Sequence, residues 1–395
     1  EQREAVGHTI RGLYQYIAMA DLVIEAGRTD YLPALEAIFD DILDGKIYIT
    51  GGQGLTVYAS DGVATMNESW TEAYNLPFEL ADVDTCTAVA TIFFADRMNR
   101  ITNEAKYADV IEHELYNRFL AGFSWDGKRF SYGLPQEAQG FMSYEGGGMS
   151  WWTDAYFRSD WLDIPCCPPN IVRLMSTLQK YVYAVNGNGI YLNQFIPGTA
   201  ELETDRGTFS LNLETSYPVE GNLKLTVKNA PDVAESIHVR IPSWTQGEPI
   251  PGAPFQAELN KSVGIEVNGR KAEYTIVRGY AVLNRVWSEG DTISVELPVE
   301  SVLVRADERL EGYADKVCVM RGPVLYVAEG ADNADDYFDA ELEGDLRETK
   351  SKLFGGNRWI NVDAAGIAAD QVTFLPYYAF DNRGSDSFRI WFNER

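Results

Sequence analysis

A helical N-terminal part followed by antiparallel β-sandwiches is the fold class that the sequence predicts, and three observations carry it. The hydrophobic period switches from helical spacing to strict alternation near residue 188. Beyond that point short alternating segments recur with turn residues roughly every 8–12 positions, the pattern of stacked antiparallel sheets. At 395 residues, the chain is also too long for one ordinary domain of about 150 residues.

The helices come first. Leu13, Ile17, Met19, Ala20, Val23 and Ile24 line one face, and Leu35, Ile38, Phe39, Ile42 and Leu43 a second. Ala88, Val89, Ile92, Phe93, Ala95 and Met98 predict a third helix, and Ile111, Leu115, Phe119 and Leu120 a fourth. Glycine-rich runs, Gly51-Gly52-Gln53-Gly54 and Gly146-Gly147-Gly148, separate them. A last helix is expected from Pro169 to Ala184, since proline suits a first helical turn. The alternation then sets in: Ile190, Leu192; Phe209, Leu211, Leu213; Leu223, Leu225, Val227; Ile237, Val239, Ile241; Ile293, Val295, Leu297. A second β unit is expected from Arg305 and takes in Lys316 to Val327. The division is therefore a helical part over 1–187, a β-sandwich over 188–304 and a C-terminal β domain over 305–395.

Composition narrows the function. With 33 Lys and Arg against 59 Asp and Glu, the net charge is −26. No basic surface is left to neutralise phosphates, which argues against nucleic acid and equally against an anionic membrane surface. No run approaches the roughly 18 apolar residues of a membrane helix, so insertion in a bilayer is not expected. Four cysteines make no disulfide framework. The chain begins at Glu1, within what reads as a helix in progress, which predicts a fragment or a processed chain. No signal peptide is visible, and the compartment stays open between cytoplasm and periplasm.

Three of the cysteines fall in two tight groups, Asp84-Thr85-Cys86 and Cys166-Cys167-Pro168-Pro169-Asn170. Three sulfurs and one carboxylate oxygen would fill a tetrahedral zinc shell, although the spacing is not that of a standard zinc finger. The plainer alternatives are a small buried apolar residue for Cys86 and a chance vicinal pair for Cys166 and Cys167. Cys318, between Val317 and Val319, reads as core. Metal coordination would strip the thiol proton and leave a thiolate able to attack carbon. Such a nucleophile needs a proton donor for the leaving group, and Glu68, in Asn67-Glu68-Ser69-Trp70, is the candidate. Trp70 and Tyr74 would supply an aromatic platform for a sugar ring.

The run from Glu68 through Glu72, Tyr74, Pro77 and Asp84 to Cys86 resembles the core motif of glycoside hydrolase family 127, the β-L-arabinofuranosidase family. Tyr48 to Gly54, Tyr107 to Asn117, Arg158 to Trp161 with Cys166 to Asn170, and Lys316 to Tyr326 agree with it in the same order. The resemblance implies an (α/α)6 barrel followed by β-sandwich domains. The segment before Gly189 is about half what twelve helices need, so only the C-terminal half of the barrel is expected in this chain. It further implies Cys166 as nucleophile, Glu68 as general acid/base, and Asp84, Cys86, Cys166 and Cys167 as ligands of a Zn²⁺ ion. Asp84 stands where the family usually has glutamate. His8, Glu112 and Tyr132 match positions that line the sugar pocket.

The function these features imply is retaining, exo-acting hydrolysis of β-L-arabinofuranosyl bonds in plant-derived oligosaccharides or glycans. The same mechanism on another plant sugar, such as a branched or acidic pectic pentose, is the first alternative. A non-catalytic zinc-containing carbohydrate-binding protein is the second, although a binding module has no need of Glu68 and a reactive thiolate together. The sequence leaves open whether the chain forms a homodimer.

Overall fold

The structure is a computed structural model. It describes every residue except 1, 59–63, 79–84, 140–157, 162–163, 260, 352–359, 368 and 385–386, and it leaves the side chains of 56–58 and 64–67 undescribed. The described residues hold five α-helices: α1 (Thr9–Ala26), α2 (Leu32–Gly45), α3 (Thr85–Thr102), α4 (Ala105–Glu114) and α5 (Cys167–Met175). The apolar spacing that predicts α1 and α2 is the spacing that is buried: Leu13, Tyr16, Ile17, Ala20 and Val23 on α1; Leu35, Ile38, Phe39, Ile42 and Leu43 on α2. Gly27 ends α1 in the left-handed conformation at φ 65°. α3 is buried along an unbroken run from Thr85 to Ala95, as a central helix must be, and packs against α1, α4 and α5.

Five helices do not close a twelve-helix barrel, so the (α/α)6 detail is not carried over to the described residues. The coarser expectation stands: a multidomain α and β protein with a β-rich C-terminal region. The last helix is also shorter than expected, ending at Met175 instead of Ala184. Ser176 and Thr177 turn their hydroxyls back onto the Arg173 carbonyl at 2.9 and 3.1 Å. That local bonding competes with helix propagation, and Tyr183–Asn186 continues as a strand.

Two sheets, of five and six strands, enclose a core of their own that includes Ile190, Phe209, Leu211, Leu225, Ile237, Val239 and Trp287. All their pairings are antiparallel except that Ala234–Arg240 runs parallel to Gly189–Leu192. The C-terminal region is a single ten-stranded sheet in which Lys316–Arg321 also pairs with Val324–Glu329, closing part of the sheet on itself. Closure removes open edges that two stacked sheets would leave. The strand Ser301–Ala306 runs across residues 304 and 305, and edge strands come from Phe255–Ala257 and from Glu137–Gln139. The helices and this sheet share one continuous core, from Leu13 and Phe94 to Cys318 and Phe392.

Candidate active site

Three elements converge on Glu68. The strand Ala64–Trp70 pairs antiparallel with Gly7–His8, placing His8 opposite Ser69. His8 Nε2 then lies 3.2 Å from Glu68 Oε2. Burial first, and the charge of Arg11 second, hold the imidazole below its ordinary pKa, so His8 is neutral at neutral pH. On the other side the Tyr132 hydroxyl bonds to Glu68 Oε1.

The backbone at Glu68 is unusual. Its φ of 44° lies in the left-handed region, which a non-glycine residue adopts at a cost of order 1–3 kcal/mol and mostly at functional sites. Two contacts maintain it. Thr9 Oγ1 donates to the Glu68 carbonyl at 2.9 Å. Gly54 lies so close that a Cβ there would sit 2.6 Å from Thr9 Cγ2 and 3.3 Å from the Glu68 carbonyl carbon. With its own φ at 85°, position 54 takes glycine for conformation and for space alike.

The cysteines assemble from two helices. Cys86 is in the first turn of α3; Cys167 opens α5 and Cys166 precedes it. Cys86 Sγ and Cys166 Sγ each lie 3.8 Å from Cys167 Sγ, and all three sulfurs fall within 4.8 Å of one another. No disulfide joins them, since a bond would need about 2.05 Å. The donor set fits zinc: a tetrahedral ion with Zn–S of about 2.3 Å has ligand-to-ligand edges of about 3.8 Å. Asp84, the expected fourth ligand, lies outside the described residues. The Cys166 thiol is held down to about 3, by hydrogen bonds from Cys167 first, then Cys86, and also Tyr132, against the opposing effect of burial. Its place at the N-terminus of α5 favours the thiolate further.

Tyr132 is thus the link. Its hydroxyl bonds Glu68 and Cys166 together, and its ring packs with Cys86, Cys167 and Phe130. Behind it, α4 widens into a π-turn at Leu115–Phe119, a distortion frequent at functional sites. The turn delivers the fully buried Arg118, whose Nη2 donates to the Tyr132 carbonyl at 2.9 Å.

The structure does not gather three of the expected residues here. Trp70 is 4% exposed and is no sugar platform. Its ring stacks on Tyr16, its edge fills the space over Gly12, and its Nε1 donates to Gln53 Oε1 at 3.0 Å. Tyr74 bonds Asp44 and lies under the Arg309 guanidinium. Glu112 is turned toward the middle region, where Arg240 Nη2 binds it at 2.5 Å and Trp244 Nε1 at 3.3 Å. His113 is buried, with Nε2 at 2.8 Å from the Ile49 carbonyl, and Cys318 lies in the core of the ten-stranded sheet. Thr9, Gly54 and Arg118 have roles that no single residue type signals; Gly54 ends a quoted motif, Thr9 follows His8, and Arg118 adjoins the motif ending at Asn117.

Three family models of one family match consecutive parts of the chain. Residues 1–180 match the β-L-arabinofuranosidase, GH127 catalytic domain; 189–299 match the GH127 middle domain; 301–393 match the glycoside hydrolase family 127 C-terminal domain. The chain belongs to glycoside hydrolase family 127. It is 28% identical, over 99% of its length and 60% of the relative's, to the non-reducing end β-L-arabinofuranosidase of Bifidobacterium longum subsp. longum. Among solved structures it superposes on a family 127 β-arabinofuranosidase with a TM-score of 0.89 at 30% identity, covering all of this chain and 61% of that one. A family 127 β-L-arabinofuranosidase from Geobacillus stearothermophilus gives 0.87 at 28% identity, again over all of this chain and 62% of the other. The family 127 chain described here therefore spans about three fifths of the length of these relatives.

Proposed function

We propose that this family 127 protein hydrolyses β-L-arabinofuranosyl bonds at the non-reducing ends of plant-derived glycans, with retention of configuration. The observation that carries the reading is the position of one hydroxyl. Tyr132 holds the Glu68 carboxyl and the Cys166 sulfur on either side of itself, so an acid and a nucleophile serve one small volume. Glu68 protonates the glycosidic oxygen as the Cys166 thiolate attacks the anomeric carbon; the C–O bond breaks and a C–S bond forms. Glu68, now a carboxylate, takes a proton from water as that water displaces sulfur and regenerates the thiolate. This is the two-step logic of retaining glycosidases with sulfur in place of the usual carboxylate. His8, neutral and bonded to Glu68, orients the carboxyl without supplying a charge.

In the same reading Cys86, Cys166 and Cys167 hold a zinc ion with Asp84 as fourth ligand. Bound there, zinc would keep Cys166 deprotonated and lower its basicity as a leaving group. The three-part division belongs to the same proposal, with its second junction moved from 304/305 to about residue 300, because the strand Ser301–Ala306 belongs to the ten-stranded sheet.

The test is hydrolysis of a panel of p-nitrophenyl furanosides and pyranosides, with the anomer released followed by NMR. Turnover of the β-L-arabinofuranoside with retention is expected; inversion, or turnover of another sugar alone, would overturn the reading. Metal content is a separate prediction. Reduced, purified protein is expected to carry about one zinc per chain, and Cys167→Ala to lose most of it, measured by elemental analysis. A native protein without zinc would remove the metal from the mechanism. Because aspartate is shorter than glutamate by one methylene, Asp84→Glu is expected to tighten zinc several-fold in competition with a chelator.

A further inference from the structure

Trp161 stands apart from the other aromatic side chains around the Glu68–Cys166 pair. Phe130 and Tyr132 are 5% and 4% exposed, whereas Trp161 is 67% exposed. Leaving a large indole in water forfeits hydrophobic stabilisation of about 1.5–3 kcal/mol.

Its support is rigid. The Ser159 and Phe130 backbones bond reciprocally, at 3.0 and 2.9 Å. Arg158, buried, anchors the same segment: its N–H donates to Asp381 Oδ2 at 2.6 Å and its guanidinium to the carbonyls of Ala121 and Phe380. Trp161 meets Phe130 edge to face, with centroids 6.5 Å apart and planes at 83°. Phe130 in turn packs in the cluster that contains Cys86, Tyr132 and Cys167. Trp161 and Cys166 are five positions apart, which bounds their Cα atoms to within about 18 Å. The indole is therefore an open aromatic on a fixed base, one packed side chain away from the reacting groups.

We propose that Trp161 is a specificity-determining residue, the stacking platform for the sugar unit on the leaving-group side of the scissile bond. This rests on the glycosidase reading above. An exo-acting enzyme that reads only the terminal sugar has no use for such a platform, whereas one that prefers oligosaccharides does. The C–H face of a furanose or pyranose is the chemistry an exposed indole accepts, and a net charge of −26 does not favour an anionic ligand.

The test compares two substrates, a β-linked disaccharide of L-arabinofuranose and methyl β-L-arabinofuranoside, which offers nothing to stack. Trp161→Ala is expected to lower kcat/KM on the disaccharide about ten-fold more than on the methyl glycoside, through KM. Trp161→Phe is expected to restore most of that difference. Equal losses on both substrates, no loss on the disaccharide, or no recovery with phenylalanine would overturn the proposal. If the native protein hydrolyses neither substrate, the glycosidase reading fails and titration decides Trp161. A saturable change in tryptophan fluorescence with the disaccharide, absent in Trp161→Phe, would support the platform; its absence in the native protein would overturn it.

Discussion

Cys166→Ser is expected to abolish turnover, with kcat reduced by at least about 10³-fold, on the scale of losing a covalent nucleophile. The loss follows from the sulfur's surroundings. Hydrogen bonds from Cys167, Cys86 and Tyr132 hold the thiol down to about 3, and a serine hydroxyl in the same place stays protonated at neutral pH. Glu68→Gln is expected to behave differently. General acid catalysis is worth about 10²–10⁴-fold, and an activated aryl glycoside needs little of it to leave. Such a substrate should still show a stoichiometric burst of phenol followed by slow turnover, because the second step lacks its base. Pre-steady-state kinetics on the two variants separates the roles. A Cys166→Ser protein with zinc bound and near-normal kcat would refute the nucleophile, and an unaffected Glu68→Gln would refute the acid. Glu72, on an exposed turn, or Glu79, outside the described residues, would then be the next carboxylate to try.

The parts of this site that the sequence makes legible are those that depend on residue type and short spacing. Three cysteines in two tight groups have few uses, and α3 and α5 bring their sulfurs to within 4.8 Å of one another through local helix starts. Helical periodicity likewise finds the buried faces of α1 and α2. Trp70 and Glu112 fail for one shared reason: the partner that decides each lies far away in sequence. A tryptophan beside a carboxylate has the same local sequence whether it stacks on a sugar or on Tyr16. Glu112 has the spacing of a pocket residue, yet Arg240, at 128 positions' separation, claims it. The ten-stranded sheet is similarly non-local, since its edges come from residues 137–139 and 255–257, and pairing over such distances leaves no periodic trace beyond the strand itself. The left-handed backbone at Glu68 is also invisible to composition; only the neighbouring Gly54 hints that the chain is crowded there.

Arg240 carries the largest expected effect on stability. It ends the strand Ala234–Arg240 and is fully buried against α4. Its Nη1 binds Asp109 Oδ1 at 2.5 Å, its Nη2 binds Glu112 Oε1 at 2.5 Å, and its Nε donates to the Asn193 carbonyl at 2.6 Å. The guanidinium also lies over the Phe195 ring at 4.7 Å. One cation thus joins two carboxylates on α4 to the middle sheet. Removing it leaves both carboxylates buried without their counter-charge, and such a break costs about 3–5 kcal/mol. Arg240→Met is therefore expected to lower the melting temperature by on the order of 10 °C. The loss should depend on pH, and its sign is fixed. Burial already pushes Asp109 up to about 7 with the arginine present, and without it the folded-state Asp109 carboxyl holds its proton more tightly still. The unfolded chain releases that proton near pH 4, so across neutral pH the folded variant binds more protons than the unfolded one. Its stability then falls as pH rises, and the deficit relative to the native protein should be smallest near pH 4–5 and largest above pH 7. Adding Asp109→Asn and Glu112→Gln to Arg240→Met removes the buried charges altogether. That triple variant is expected to recover much of the lost stability and to lose the extra pH slope, a non-additivity measured by melting at pH 5 and pH 8. Because α4 leads directly into the π-turn that carries Arg118 to Tyr132, the same clamp fixes the helix behind the site. A triple variant that melts normally but loosens Tyr132 should keep its zinc and lose kcat.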